Sequence, residues 1–387
     1  MRMILASTIG GPMVLTLRLI GVWPDSSCKF LQRVAWTMTM VTSQLFQYWY
    51  LFTHIGSDTL EDLMNSMSLC LSNSLLFLKM SILWINGRIF YNMLTTMVED
   101  WDECTTALKT RMMTNKAVLS RRFSKYTIGV YTGCLVFFWT SGILSQRSAE
   151  LSVETGRQLI VRMELPFEYN ASPLFEIVQI VQFLLQFTCA LLAGMLNALI
   201  VTLILHIAGQ IDIMCYELME IPAVADKRDL SRIVALRAVV NRHQRIIAFA
   251  DSVEDVFCYM ALVQFFSNTA VICFLGFVIV TLLGTDEGNV VLVKVIPYYA
   301  VVNLEAFVIC FTGEYLNSKS KSITQAAYDS LWYELEPTES RLLLLLLVKS
   351  QRQLSITIGK FMDLSLESFT GILKTSASYM SVLHAMY

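Results

Sequence analysis

Histidine, proline and clustered cysteine are scarce in this chain, and each scarcity removes a class of chemistry. The four histidines, His54, His206, His243 and His384, lie far apart. The nine cysteines are scattered from Cys28 to Cys310, with Cys258 and Cys273 the closest pair, so no C-x-x-C and no zinc-ligand spacing occurs. There is no glycine-rich phosphate loop, no H-E-x-x-H and no G-x-S-x-G, which leaves a catalytic reading without a foothold; no metal and no cofactor is expected. Charge is scarce too, at 16% of residues, and its balance of 29 basic against 31 acidic side chains points to no nucleic-acid partner.

Apolar residues fill the space that charge leaves. A chain of 387 residues that is 55% hydrophobic, with a mean hydropathy of +0.55, exceeds the apolar content of a soluble domain and reads as a polytopic membrane protein. Residues 1–33 hold a short, interrupted apolar run from Met13 to Leu17 with no clear cleavage site after it. They read as a basic interfacial lead-in, carrying Arg2, Arg18, Lys29 and Arg33 and ending at Trp23-Pro24.

Uncharged stretches then recur at spanning length. Val34 to Ser57 has no Asp, Glu, Lys or Arg and is the first expected span. The second runs from about Leu63 to Ile85 and contains Lys79, whose place near the inner end predicts that its ammonium snorkels to the interface. Residues 86–125 are charged and amphipathic and read as a solvent-facing linker. The third span is expected from Tyr126 to Gln146. Ile177 to Ile211, 35 residues without a charge, is longer than a bilayer needs, so this fourth helix should tilt or continue beyond the membrane. Residues 212–255 read as amphipathic helices in water, Val256 to Thr285 as the fifth span, Asp286-Glu287-Gly288-Asn289 as a tight turn, and Val290 to about Gly313 as the sixth, with Pro297 placed to kink it. Between residues 314 and 357, Arg341 precedes six leucines, Leu342 to Leu347; the run is too short to cross a bilayer and reads as a buried helix of an intracellular assembly.

The last segment, 358–387, reads as a seventh helical span. Glu367, Gly371, Lys374, Ser378, Val382 and Ala385 recur on one face of an otherwise apolar helix. Such a stripe suits either a water-lined path or a close helix seam.

Basic residues set the orientation, because lysine and arginine are retained on the cytoplasmic side. The first, third and fifth connections carry none, three (Arg147, Arg157, Arg162) and one (Lys294). The N-terminal segment, the second connection and the fourth carry four, seven and six, which places the N-terminus inside and, after seven spans, the C-terminus outside. That topology is opposite to a G-protein-coupled receptor, and no Asp/Glu-Arg-Tyr or Asn-Pro-x-x-Tyr occurs where such a receptor would need it.

Several motifs carry a family resemblance: Leu19-Ile20-Gly21-Val22-Trp23-Pro24, Trp332-Tyr333-Glu334, and above all Leu364-Ser365-Leu366-Glu367-Ser368-Phe369 with Ile372-Leu373-Lys374-Thr375-Ser376-Ala377-Ser378-Tyr379 and Val382-Leu383. The chain resembles an insect odorant receptor, an odour-tuning subunit rather than the shared co-receptor Orco. The resemblance implies an all-α, seven-helix, non-enzymatic membrane protein of the plasma membrane of olfactory neuron dendrites. In this family such a subunit forms a heteromeric, tetrameric odorant-gated cation channel with Orco, contacting volatile odorant, lipid and permeating cations. It further implies a six-helix part, 34–313, with an odour pocket in its outer half, a cytoplasmic anchor at 314–357, and a split seventh helix whose second half lines the pore. By the family's closing S-Y-x-x-V-L pattern, Ser378, Val382 and Met386 are the expected pore residues, with Val382 as a hydrophobic gate. The expected odour-contacting residues are Leu69, Asn73, Leu135, Trp139, Ile177, Val181, Leu184, Tyr298 and Tyr299, with Asn73 and the two tyrosines free to bond a ligand's polar atom. A gustatory-type channel working without Orco, and a transporter or receptor of another class, are the competing readings.

Overall fold

The computed structural model describes residues 10–23, 28–150, 158–221, 229–284, 288–330 and 332–386. The expectations that fall on Arg2, Pro24, Arg157, Lys227, Arg228, the turn residues Asp286 and Glu287, and Tyr387 lie outside the described residues. Ten α-helices account for almost all of the rest: α1 (Gly11–Leu19), α2 (Lys29–His54), α3 (Leu60–Ile85), α4 (Gly87–Asp102), α5 (Ala107–Glu150), α6 (Leu174–Glu220), α7 (Asp229–Leu282), α8 (Gly288–Asp329), α9 (Pro337–Ser350) and α10 (Leu366–Met386). Two short strands, β1 (Thr357–Ile358) and β2 (Met362–Asp363), form an antiparallel hairpin between α9 and α10.

Five of these helices, α3, α5, α6, α7 and α8, are long and apolar enough to cross a membrane. Helices α2 and α10, of 26 and 21 residues, are more polar, yet at about 1.5 Å per residue each reaches the thickness of a bilayer core. The 47-residue α6 runs unbroken through the uncharged stretch and on to Glu220. It is buried almost without interruption from Leu192 to Met214, which explains a helix apolar on all sides: it is the post around which the others pack.

Two segments read from sequence as peripheral, residues 86–125 and the N-terminal lead-in, are packed into the core instead, whereas the leucine run is the buried helix that its pattern suggests. Residues 86–125 are not a solvent-facing linker: they form α4 and the first half of α5, and Phe90, Met93, Leu94 and Met97, at helical spacing, bury one face of α4. The N-terminal lead-in is docked rather than interfacial. Met13, Leu17, Ile20 and Trp23 are buried in the main core, and the Trp36 and Trp84 indoles donate to the carbonyls of Leu19 (3.0 Å) and Ile20 (2.9 Å). The leucine run forms α9, opened by a capping box between Glu336 and Glu339, with Leu343 and Leu346 buried and Leu345 exposed. α8 runs on through Pro297 as one helix.

The seventh span begins later than its composition suggests. Ile358 lies in β1, and the turn after it holds Gly359 and Lys360 at φ of 61° and 65°, a left-handed pair that no α-helix can contain. The hairpin is pinned to α7: the Gly359 amide donates to the Cys258 carbonyl (3.2 Å) and the Thr357 hydroxyl to Glu254 Oε1 (2.8 Å). Helix α10 starts only after Leu364, whose backbone lies so close to Gly313 of α8 that any side chain at that glycine would collide with it.

On the side read as cytoplasmic, ion pairs lock the helices together. Asp212 of α6 pairs with Lys116 of α5 (3.1 Å) and Lys319 of α8 (2.5 Å), while Arg245 of α7 reaches Asp100 of α4 (2.8 Å). Asp100 also accepts from the buried His206 (2.8 Å).

Candidate ligand cavity and pore helix

Between α3, α5, α6, α7 and α8 lies a cavity of about 130 Å³. Four helices present one stripe each to it, at the spacing of three and four that puts residues on a common face. These are Leu69, Ser72, Asn73, Leu76 and Lys79 on α3, then Tyr131, Cys134, Leu135 and Phe138 on α5. Gln186, Cys189, Ala190 and Ala193 on α6 and Tyr298, Val301, Val302 and Glu305 on α8 complete the four. α7 contributes Asn268. The walls are mainly apolar with polar groups from all five helices set among them, the arrangement of a small-molecule site.

Of the nine residues expected to contact ligand, Leu69, Asn73, Leu135 and Tyr298 line this cavity. Trp139 is buried just beyond it, in a second apolar cluster with Phe138, Leu159, Val161, Met163 and Phe175, edge-on to Phe183 at 5.4 Å. Tyr299 packs against the main core. Ile177, Val181 and Leu184 do not reach the cavity: they share the outward face of α6 and are more than half exposed in the single chain. A helix apolar on every side gives no sequence signal for which face turns inward, and here the Gln186 to Ala193 face does.

The Tyr298 hydroxyl and the Asn73 amide nitrogen are already engaged. The Tyr298 hydroxyl donates to the Ser68 carbonyl (3.1 Å) and sits 2.6 Å from Ser72 Oγ, and Asn73 Nδ2 donates to Gln47 Oε1 (3.3 Å). These bonds tie α8 and α2 to α3.

Lys79 does not snorkel. It is 4% exposed, and its ammonium donates to Glu305 Oε1 (2.7 Å) and Asn197 Oδ1 (3.1 Å). Glu305 also accepts from Gln264 Nε2 (3.0 Å), and Asn197 Nδ2 donates to the Tyr131 hydroxyl (2.7 Å). Pairing is a stronger outcome than snorkelling because a carboxylate one helix away offers the ammonium what water would, without exposing the cavity. Sequence reasoning overlooked Glu305; a lone acid inside the sixth span, matched by a lone lysine inside the second, was the available signal.

Residues 158–165 pack over the neighbouring apolar cluster, with Leu159, Val161 and Met163 against Phe138 and Trp139. Gln182 Nε2 donates to the Val161 carbonyl (3.1 Å) and the Glu164 amide to the Phe46 carbonyl (3.1 Å). Arg162 anchors the segment through Asp58 (3.1 Å), Asp62 (3.0 Å) and the Tyr50 hydroxyl (3.1 Å). Burial opposes the charge of Arg162, but Asp62 and Tyr50 outweigh it and raise its pKa above the ordinary arginine value.

Helix α10 is held on one side only. Ser368, Ile372 and Ser376 form its buried stripe; the Ser376 hydroxyl donates to the Thr269 carbonyl of α7 (2.9 Å), and Phe369 meets Phe307 of α8 edge-on at 5.5 Å. The opposite face, with Glu367, Lys374, Ser378, Val382 and Met386, is uncovered.

Comparison with known proteins agrees with this architecture. The family described as 7tm Odorant receptor matches residues 59–377. Odorant receptor 13a of Drosophila melanogaster is 33% identical over 163 residues, 39% of this chain and 38% of that protein. Odorant receptor 10 of Aedes albopictus is 26% identical over 217 residues, 56% of this chain and 57% of that protein. The matched stretch thus spans about two fifths to just over half the length of these relatives. The same fold is seen in the solved structure of the insect olfactory receptor OR5 from Machilis hrabei in complex with eugenol, with a TM-score of 0.77 at 14% identity over 97% of both chains. A second structure of the insect olfactory receptor OR5 from Machilis hrabei gives a TM-score of 0.74 at 15% identity over 96% of both chains. The family is one of receptors and not of enzymes, and this multi-pass membrane chain belongs to it: it is a member of the 7tm odorant receptor family.

Proposed function

We propose that this chain is the odorant-binding, tuning subunit of a heteromeric odorant-gated cation channel, assembled with the co-receptor Orco in the dendritic plasma membrane of an olfactory neuron. The observation that carries this reading is the pairing of two features on one helix: α7 lines the cavity at Asn268 and holds α10 at Thr269. A ligand that fits the cavity better in one position of α7 than another therefore biases α10, and only such differential affinity moves a gate.

The cavity suits a volatile. At roughly 10–15 Å³ for each water-sized group, about 130 Å³ holds on the order of ten non-hydrogen atoms. Burying about 200 Å² of apolar ligand surface at about 25 cal/mol per Å² gives a gross gain of about 5 kcal/mol, enough for weak, readily reversible binding.

The uncovered stripe of α10 supports a pore role. Ser378, Val382 and Met386 lie along it, and α10 is too polar on that side to face lipid alone. Four such helices around an axis cover the stripe, and a ring at Val382 blocks ions by dewetting, since a narrow apolar constriction offers nothing in place of the hydration shell. The segment 314–357 with α9 then serves as the cytoplasmic anchor between subunits.

Expression with and without Orco, with odour-evoked current recorded across a chemical panel, tests the assignment. Current that requires both chains is the expected result. Odour-evoked current from this chain alone contradicts it, and so does a response that depends on G-protein signalling.

A further inference from the structure

Beside the Lys79–Glu305 pair the cavity meets hydrogen-bond donors that the described residues leave partly unsatisfied. Asn268 is 2% exposed and lines the cavity, and its amide nitrogen has no partner. A buried amide N–H without an acceptor is destabilising, so the position is poised to take one from a guest. Lys79 adds a second donor: an ammonium has three N–H bonds, and those to Glu305 and Asn197 account for two. Of the acceptors that line this end, Glu305 Oε1 is committed to Lys79 and Gln264 and the Tyr131 oxygen to Asn197, while the unpartnered Gln264 oxygen does not line the cavity. Tyr298 and Asn73, the hydroxyl and amide that the family resemblance suggests for this task, already donate to Ser68 and Gln47.

We propose that this end is a donor subsite, formed by Asn268 and Lys79, which selects neutral odorants bearing a carbonyl oxygen, that is ketones, aldehydes and esters, on an apolar body. The inference rests on the reading of the cavity as the odour site and deepens it to a ligand class. Charge sets the neutrality: Lys79 and Glu305 already neutralise each other, so a charged ligand brings an uncompensated charge into a buried site. Hydrocarbons leave both donors unpaired. Alcohols can accept as well, but must also place a hydroxyl proton where the acceptors are already taken, so they rank between the two.

The test uses the full-length chain with its co-receptor in oocytes and a size-matched panel: 2-heptanone, methyl hexanoate, 1-heptanol, octane, heptylamine and hexanoic acid. The ketone and ester are expected to act at half-maximal concentrations at least tenfold below those of octane, heptylamine and hexanoic acid. Asn268→Leu, close in volume and without donors, is expected to raise the 2-heptanone value at least tenfold and the octane value less than twofold. Asn268→Gln, which keeps a donor, is expected to retain part of the preference. Octane or heptylamine matching 2-heptanone overturns the subsite, as does Asn268→Leu shifting ketone and hydrocarbon equally. The ranking by the unaltered chain stands whether or not the variants fold. Silence to all six compounds, with current still evoked by a co-receptor agonist, overturns the subsite and the odour-site reading together, whereas responses without carbonyl preference overturn the subsite alone.

Discussion

The hydroxyl of Ser376 on α10 donates to the carbonyl of Thr269 on α7, 2.9 Å away, and the residue before Thr269 is Asn268 of the cavity wall. One peptide unit therefore separates the ligand cavity from the helix assigned to the pore. Removing the hydroxyl with Ser376→Ala loses one hydrogen bond, about 0.5–1.5 kcal/mol, while Thr269 keeps its place in the α7 ladder. The half-maximal odour concentration is expected to shift by about two- to tenfold, with single-channel conductance unchanged. A changed conductance at constant sensitivity argues instead that Ser376 lines the pore.

Lys79 and Glu305 form a buried pair between α3 and α8. Removing one partner strands the other charge in the membrane interior, at a cost of about 3–5 kcal/mol, whereas removing both is far milder. Lys79→Met and Glu305→Leu should each cut surface expression severely, and the double variant should recover much of it while losing preference for polar odorants. Surface biotinylation of the three variants measures this. Additive losses in the double variant mean that the two residues act independently.

Arg162 secures the segment packed over the neighbouring apolar cluster, through Asp58, Asp62 and Tyr50. Arg162→Met leaves the cavity walls untouched and loosens this segment. The decay of current on odour washout is expected to quicken by about 1.5- to fivefold, the range that about 0.2–1 kcal/mol from a partly exposed ion pair gives. An unchanged decay places ligand exit elsewhere.

Val382 is more than half exposed in the single chain, on the uncovered face of α10. Val382→Ser, a polar side chain at an apolar constriction, is expected to raise unstimulated current, because wetting no longer requires opening. Recordings of leak current at matched surface density decide it, and an unchanged leak removes Val382 from the gate.

The parts of this fold that were legible in the sequence are those where charge and its absence speak alone. The uncharged run from Ile177 to Ile211 announced the overlong α6, and Arg341 and Lys349 bounded the leucines of α9. Residue identity at the C-terminal motif carried the family. What stayed illegible depends on facing. Ile177, Val181 and Leu184 are as apolar as the residues that line the cavity, and only packing turns them outward. Asn268 sits in an uncharged span where one amide carries no sequence signal, and its unpaired nitrogen is a property of its neighbours. The late start of α10 was in principle readable from Gly359, yet a glycine within an apolar pattern does not reveal that Lys360 joins it in the left-handed region. Lys79 was noticed and misassigned because its partner, 226 positions along, was not sought.

The central claim is that odour acts from the cavity among α3, α5, α6 and α8, and the measurement that tests it most directly is to fill that space. Leu135 lines the cavity and belongs to α5, away from α10 and its contacts. Leu135→Trp, expressed with the co-receptor, is expected to lower odour sensitivity at least tenfold while current evoked by a co-receptor agonist stays at the level of the unaltered chain. Full odour sensitivity with the indole in place contradicts the account.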